Sequence, residues 1–228
     1  PLNADQKRVV QEIQTSIQDV ILLHGVTGSG KTEVYLHLAR QVLDAGKQVL
    51  ILVPEISLTP QMVARVKGRF QNDVAIYHSA LNNQQKYEQY CRVFEKQASI
   101  VVGTRSAVFA PLPGLGAIIL DEEQEASYKS ENVPRYHARE VAKYRCAHSG
   151  ALLVLGSATP SVETMYQARQ GVYSLFTLRS RYNDQALPQV IVADLKEELR
   201  QGNASTISAP LRRELEANLE RGEQSILF

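Results

Sequence analysis

Between residues 25 and 32 the chain reads GVTGSGKT, with Gly25, Gly28 and Gly30 separated by Val26, Thr27 and Ser29 and followed by Lys31 and Thr32. This spacing fits G-x-x-x-x-G-K-[ST]. In that pattern glycines let backbone N–H groups turn toward a polyphosphate, the lysine reaches the β- and γ-phosphates, and the hydroxyl ligates Mg2+. The alternative is a glycine-rich turn that only tightens a strand-to-helix joint. The flanks favour phosphate: Val20 to Leu23 is an apolar, strand-like run, and a helix starting at Lys31 adds its positive dipole end.

A second stretch, AIILDEEQ, places Asp121 and Glu122 at the end of another apolar run. Asp121 can hold Mg2+ through its water shell, and Glu122 can polarise an attacking water as general base, so the pair adds hydrolysis to phosphate binding. Read alone, it could also be an acidic strand end facing solvent, and Glu123 and Glu125 are expected to form a solvated acidic patch. A third stretch, LGSATPS from Leu155 to Ser161, follows a further strand. Its Ser157 and Thr159 could link the nucleotide site to another ligand, and Thr159 could equally cap a helix starting at Pro160.

Positioning these groups needs strands that end at one edge. Val20 to Leu23, Gln48 to Val53, Val74 to Tyr77, Ser99 to Val102, Ala117 to Leu120 and Leu152 to Leu155 are apolar with little polar alternation, as in strands covered on both faces. Helix-length segments lie between them: Lys31 to Asp44, Ser57 to Phe70, Asn82 to Lys96, His137 to His148 and Pro160 to Gln170. Val34, Leu38 and Val42 form an apolar stripe on the first. The expected fold is a doubly wound α/β domain with a mostly parallel sheet and helices on both faces.

Composition excludes several classes. Of 228 residues 44% are hydrophobic and 21% charged, enough for a sizeable core. No apolar run approaches the ~18 residues of a membrane span and no signal pattern opens the chain, so a cytoplasmic protein with no membrane partner is expected. Cys91 and Cys146 lie far apart without metal-ligand spacing. A net charge of +1 argues against a uniformly basic coat but leaves room for a local basic groove. The start at Pro1 and the stop at GEQSILF, where Ser225 to Phe228 reads as an opening strand, are expected of a segment of a longer protein. LRQGNAST, Leu199 to Thr206, is the stretch expected to be flexible.

The phosphate loop, DEEQ and SAT in this order resemble the first motor lobe of a superfamily 2 helicase. The longer strings LVPEISLTPQ, YHSAL, VVGTRSAVFAP and DEEQEASYKSENVPRYHARE are similar to primosomal replication-restart helicases, along essentially the whole chain. The resemblance implies a RecA-like lobe over residues 1–200, with 201–228 as a connector and the start of a second lobe. It implies Mg2+-dependent ATP hydrolysis coupled to 3′ to 5′ movement on single-stranded DNA and action at forked DNA. It also implies primosome and single-strand-binding proteins as partners, and zinc only in a later segment. The arginine that neutralises the transferring phosphoryl group comes from the second lobe in such proteins, so neither Arg105 nor Arg139 is expected to supply it. Another superfamily 2 translocase, an RNA helicase, or a phosphate-loop kinase or GTPase indifferent to nucleic acid are the competing readings.

Further positions follow from the same resemblance. Gln6 looks like the glutamine that reads adenine, although it could be an ordinary helix-surface residue. Ser57, Thr59, Thr104 and Arg105 follow strand ends where such lobes touch the DNA backbone, with Ser57 alternatively an N-cap. The segment from Tyr128 to Arg139 carries Tyr128, Lys129, Arg135, Tyr136, His137 and Arg139. This mixture suits base stacking and phosphate contact, and it resembles the aromatic-rich loop that couples DNA to the nucleotide site. Alternatively, Tyr136 and His137 begin a helix and pack on the core.

Overall fold

Successive residues of a strand point to opposite faces, and here each face of the sheet finds its own cover. The computed structural model describes residues 2–179 and 189–227. Its strands are β1 (Val20–Gly25), β2 (Gln48–Leu52), β3 (Val74–Tyr77), β4 (Ile100–Gly103), β5 (Leu115–Leu120), β6 (Leu152–Ser157) and β7 (Ser174–Leu178). They form one sheet in the order β3-β4-β2-β5-β6-β1-β7, parallel at every pairing among the described residues.

One face packs on α1 (Ala4–Gln14), α2 (Lys31–Asp44) and α3 (Pro60–Phe70), where Val9, Leu38 and Val66 join Ile21, Leu23, Val49 and Ile119. The other packs on α4 (Asn83–Phe94), α5 (Ala138–Ser149) and α6 (Val162–Arg169), where Val93, Ala142 and Ala168 join Leu22, Leu50, Leu52 and Ile118. The α/β doubly wound architecture expected from the apolar runs is present. No helix among the described residues is long and apolar enough to cross a membrane.

Several local expectations change. Ser57 ends a short 3-10 turn, and the α3 cap is Thr59, whose hydroxyl accepts from the Met62 N–H because Pro60 fills the first helical position. Likewise α6 begins after Ser161, which accepts from the Thr164 N–H, so Thr159 does not cap it. No long apolar run marks α1 or β7, since α1 is short and mostly polar and β7 is a sheet edge where Leu175 is exposed and Phe176 only half-buried.

The described residues 2–179 form one unit and 189–227 another. The second contains α7 (Leu195–Arg200) and α8 (Ala209–Glu220). The stretch expected to be flexible finishes α7 and then turns, held by Asn203 Nδ2 donating to the Glu198 carboxylate and the Ile207 carbonyl. The strand expected from Ser225 is not formed over 225–227, and Phe228 lies outside the described residues, as does the run 180–188.

Gly156, near the end of β6, is the tightest point between sheet and helix. A Cβ there would stand 1.7 Å from the hydroxyl oxygen of Tyr35 on α2. Tyr35 is fully buried and cannot move outward without opening the core. Gly156→Ala should therefore destabilise the fold by about 1–3 kcal/mol, read as a lower urea midpoint. An unchanged midpoint would mean that Tyr35 is not held where it is described.

Candidate nucleotide and nucleic-acid site

β1 ends at the phosphate loop and β5 ends at the acidic pair, so the two meet across β6 at one edge of the sheet. Thr27, Gly28, Ser29, Gly30, Lys31, Thr32, Glu33, Asp121 and Glu122 line one open cleft of about 580 Å3, joined by Arg65 from α3. The loop has the backbone its glycines predict: Gly28 and Gly30 sit at φ +81° and +82°, where other residues are strained. A Cβ on Gly30 would also come within 2.1 Å of the Gln6 amide nitrogen. Gly25 and Val26 form the base of the loop, where the Val26 carbonyl accepts from the Ser29 N–H.

Lys31 is only 8% exposed. Its Nζ donates to the Gly25 carbonyl at 2.9 Å and lies 3.7 Å from Glu122 Oε1. Asp121 accepts from the Tyr35 hydroxyl at 2.9 Å, and burial pushes its carboxyl above the usual range against the pull of that bond. Burial and the neighbouring Asp121 likewise drive the Tyr35 hydroxyl well above its ordinary pKa, so it stays a donor. Glu122 adopts φ +46°, an uncommon backbone for a non-glycine residue that turns its side chain into the cleft lining.

A chain of hydrogen bonds leaves this carboxylate. The Gln124 amide donates to Glu122 Oε2 at 3.1 Å, Ser157 Oγ donates to Gln124 Oε1 at 2.5 Å, and Ser157 Oγ accepts from the Thr159 N–H at 2.9 Å. The SAT stretch is thus linked by hydrogen bonds to Glu122 in the cleft.

Gln6 is fully buried, not on a helix surface. Its Oε1 accepts from the Asn3 N–H in a capping box, and its Nε2 donates to the Ser29 carbonyl at 3.2 Å. It braces the phosphate loop. Among the described residues, Ser29 Oγ is buried without a partner. An orphaned hydroxyl in a loop of left-handed glycines, with the hard oxygen donors Thr32 and Asp121 beside it, fits a nucleoside polyphosphate with Mg2+.

Glu123 corrects the expectation of a solvated patch: it is 1% exposed. Its carboxylate accepts from Arg139 Nη1 at 2.8 Å, the Ser161 N–H at 2.7 Å and Thr164 Oγ1 at 3.0 Å. The ion pair ties the end of β5 to the starts of α5 and α6. Three acidic letters in a row gave no sign of it, because the cation sits sixteen residues downstream on another element.

The segment 128–139 also differs from a uniform nucleic-acid surface. Tyr128 is 1% exposed and donates to the Asp121 carbonyl at 2.7 Å, so it cannot stack on a base. Arg139 is held by Glu123. His137 caps α5 by accepting from the Arg139 N–H through Nδ1, and burial beside that arginine lowers its pKa, keeping the ring neutral. Tyr136 packs edge-on to Phe109 with centroids 4.9 Å apart. A Lys129–His137 bridge closes the loop, leaving Lys129 and Arg135 exposed.

Arg105 lies beneath that loop: its Nη1 donates to the Ser127 and Lys129 carbonyls at 3.2 and 2.6 Å, and its guanidinium is 5.9 Å from the Tyr136 ring centre. It is a latch for the loop, so the expectation of a free phosphate donor does not hold for that nitrogen. Thr104 is buried to 7% exposure and lines, with Arg105, Ser106 and Ser127, a smaller pocket. Thr59 remains exposed at the head of α3, and Ser57 is half-buried.

Arg139→Ala would leave the Glu123 carboxylate buried without its cation. The cost should be about 3 kcal/mol, at the low end for a broken buried pair because the carboxylate keeps its other hydrogen bonds. Adding Glu123→Gln should recover a good part of it. A urea double-mutant cycle checks this, and additive effects would show that the two side chains are not coupled.

The DEAD/DEAH box helicase family profile matches residues 3–168. Replication restart protein PriA of Bacillus subtilis (strain 168) is 49% identical over 232 aligned residues, covering 100% of this chain and 29% of the relative. PriA of Treponema pallidum (strain Nichols) is 44% identical over 228, covering 100% and 34%. The chain therefore spans about a third of the length of these curated relatives. Among solved structures, RecG bound to a three-way DNA junction superposes with a TM-score of 0.58 at 24% identity, covering 82% of this chain and 24% of that one, a likeness of fold. With the profile laid over the phosphate loop, the acidic pair and the SAT stretch that the sheet brings to one edge, the chain belongs to the DEAD/DEAH box helicase family.

Proposed function

We propose that this chain is the ATP-binding lobe of a DNA helicase. It would couple ATP hydrolysis to 3′ to 5′ movement on single-stranded DNA and to unwinding at stalled or branched forks, for primosome assembly and replication restart. The observation that carries the reading is the convergence of Lys31, Thr32, Asp121 and Glu122 on one cleft. Whole-chain similarity to PriA supports the replication role, and a fold shared with a junction-bound protein supports a DNA partner. Residues 1–200 are the lobe in this reading and 201–228 lead toward a second one. Primosome and single-strand-binding proteins are the proposed partners, the cytoplasm the proposed compartment, and zinc belongs outside this chain.

The residues divide the work. Loop N–H groups from Gly25 to Thr32 cradle the phosphates, Gln6 borders the adenine side, and Lys31 leaves the Gly25 carbonyl and Glu122 to take the β- and γ-phosphates. Once relieved of Lys31, the Glu122 carboxylate is held by Gln124 and free to accept a proton from the attacking water. Thr32 and Asp121 are the chain's ligands for Mg2+, which when bound offsets the charge that develops on the phosphates. The Gln124–Ser157 link then passes the state of the cleft to the SAT stretch. On the DNA side, Thr59, Thr104, Lys129, Arg135 and the free edge of Tyr136 are the contact candidates. Ser57, Arg105, Tyr128, His137, Arg139, Ser157 and Thr159 position or couple them. A kinase or GTPase would use the same cleft but leaves the Ser157 link without a task.

In the full-length protein, Lys31→Ala should remove most ATPase and all unwinding with DNA affinity little changed. Glu122→Gln should still bind ATP while turnover falls about 10²–10⁴-fold. ATP turnover measured in parallel with single-stranded DNA, forked DNA, duplex DNA and RNA tests the substrate class. Rates indifferent to all four would sink the helicase reading, and stimulation by RNA alone would replace DNA with RNA.

A further inference from the structure

The carboxyl edge of the sheet orders the groups around the cleft. The phosphate loop follows β1, the acidic pair follows β5 two strands away, and α3 follows β2, the next strand beyond β5. Gln6 marks the other end, where α1 braces Ser29 and Gly30. A nucleoside triphosphate lying along the loop with its terminal phosphate at Glu122 points that phosphate toward α3.

α3 presents two arginines one helical turn apart on the same face. Arg69 is engaged, with Nη1 on the Glu33 carboxylate at 3.1 Å and Nη2 on the His37 ring at 3.1 Å, which pins α3 to α2. Val66 and Phe70 bury the helix's inner side. Arg65 stands one turn nearer the carboxyl edge, exposed, and lines the cleft beside Lys31, Thr32, Asp121 and Glu122. It makes no hydrogen bond, ion pair or ring contact among the described residues. The formal charges lining the cleft are otherwise Glu33, Asp121 and Glu122 against Lys31. An exposed, unpaired guanidinium on an anchored helix, at the mouth of an acid-rich cleft, has a planar fork suited to phosphate oxygens.

We propose that Arg65 is a second cation for the nucleotide, gripping the terminal phosphate from the α3 side so that this lobe itself tells triphosphate from diphosphate. The proposal rests on the nucleotide-site reading above. Arg65 would thus be a ground-state contact made by the first lobe, separate from the arginine expected of a second lobe.

The test uses full-length protein carrying Glu122→Gln, so that ATP is not consumed, and measures equilibrium binding of ATP and ADP bearing a fluorescent ribose label. Arg65→Ala should weaken ATP about tenfold and ADP by less than about twofold, the lower range for a hydrogen bond to a charged group. Arg65→Lys should regain part of the loss, and the melting temperature should stay put because Arg65 holds nothing in the fold. Equal losses for ATP and ADP, or no loss for either, would overturn the proposal. Lys31→Ala separates the two levels. If it abolishes binding while Arg65→Ala changes nothing, only the role of Arg65 falls. If it leaves both nucleotides bound, the nucleotide site is misassigned and the role of Arg65 falls with it.

Discussion

A single phenol hydroxyl governs the geometry of the cleft. Tyr35, one turn beyond Lys31 on α2, rests against Gly156 of β6 and donates to Asp121 at the end of β5. The glycine-rich loop, the strand that ends in the acidic pair and the strand that leads into SAT are therefore referenced to one buried atom. Rotation of α2 would break the bond to Asp121 and leave the buried Tyr35 hydroxyl unpaired, a costly exchange. From the backbone side, Tyr128 donates to the carbonyl of the same Asp121, so the acidic turn is held from two directions. The strained Glu122 can persist because its neighbours over-determine its position.

Much of this was legible in the sequence, and the unevenness has physical causes. Both faces of a parallel sheet are covered, so its central strands are continuous apolar runs that stand out, and strand ends then locate the loops that do chemistry. GVTGSGKT is readable because only glycine tolerates those backbone angles where it stands. Thr59 and Ser161 cap by accepting from the N–H three residues on, yet neighbouring Ser57 and Thr159 carry the same hydroxyl chemistry, so residue type alone does not separate them. Glu123 and Gln124 were not legible at all. One faces inward to Arg139 and the other sideways to Ser157, and partners of that kind are fixed by tertiary placement instead of by spacing.

The stretch from Tyr128 to Arg139 shows how a composition suited to nucleic acid divides once folded. Tyr128 and Arg139 serve the protein's own framework, Arg105 and Phe109 support Tyr136, and of the stretch's cations Lys129 and Arg135 stay exposed. The same framework touches Asp121 at one end and the starts of α5 and α6 at the other. The exposed loop is thus joined to the acidic turn by a short, polar, well-packed set of contacts.

The strand order has a kinetic side. β1 precedes every other strand in the chain, yet its neighbours in the sheet are β6 and β7, with Val20 beside Leu153 and Ile21 beside Ser174. At roughly 5–20 residues per second, on the order of ten seconds of synthesis pass before those partners exist. Until then the apolar strand beneath the phosphate loop is unpaired on both sides, and closing so long a loop is slow even afterwards. The strand that leads into the glycine-rich loop is thus the one that waits longest for its partners in the nascent chain, and the cleft at its end is complete only after nearly the whole sheet has been synthesised.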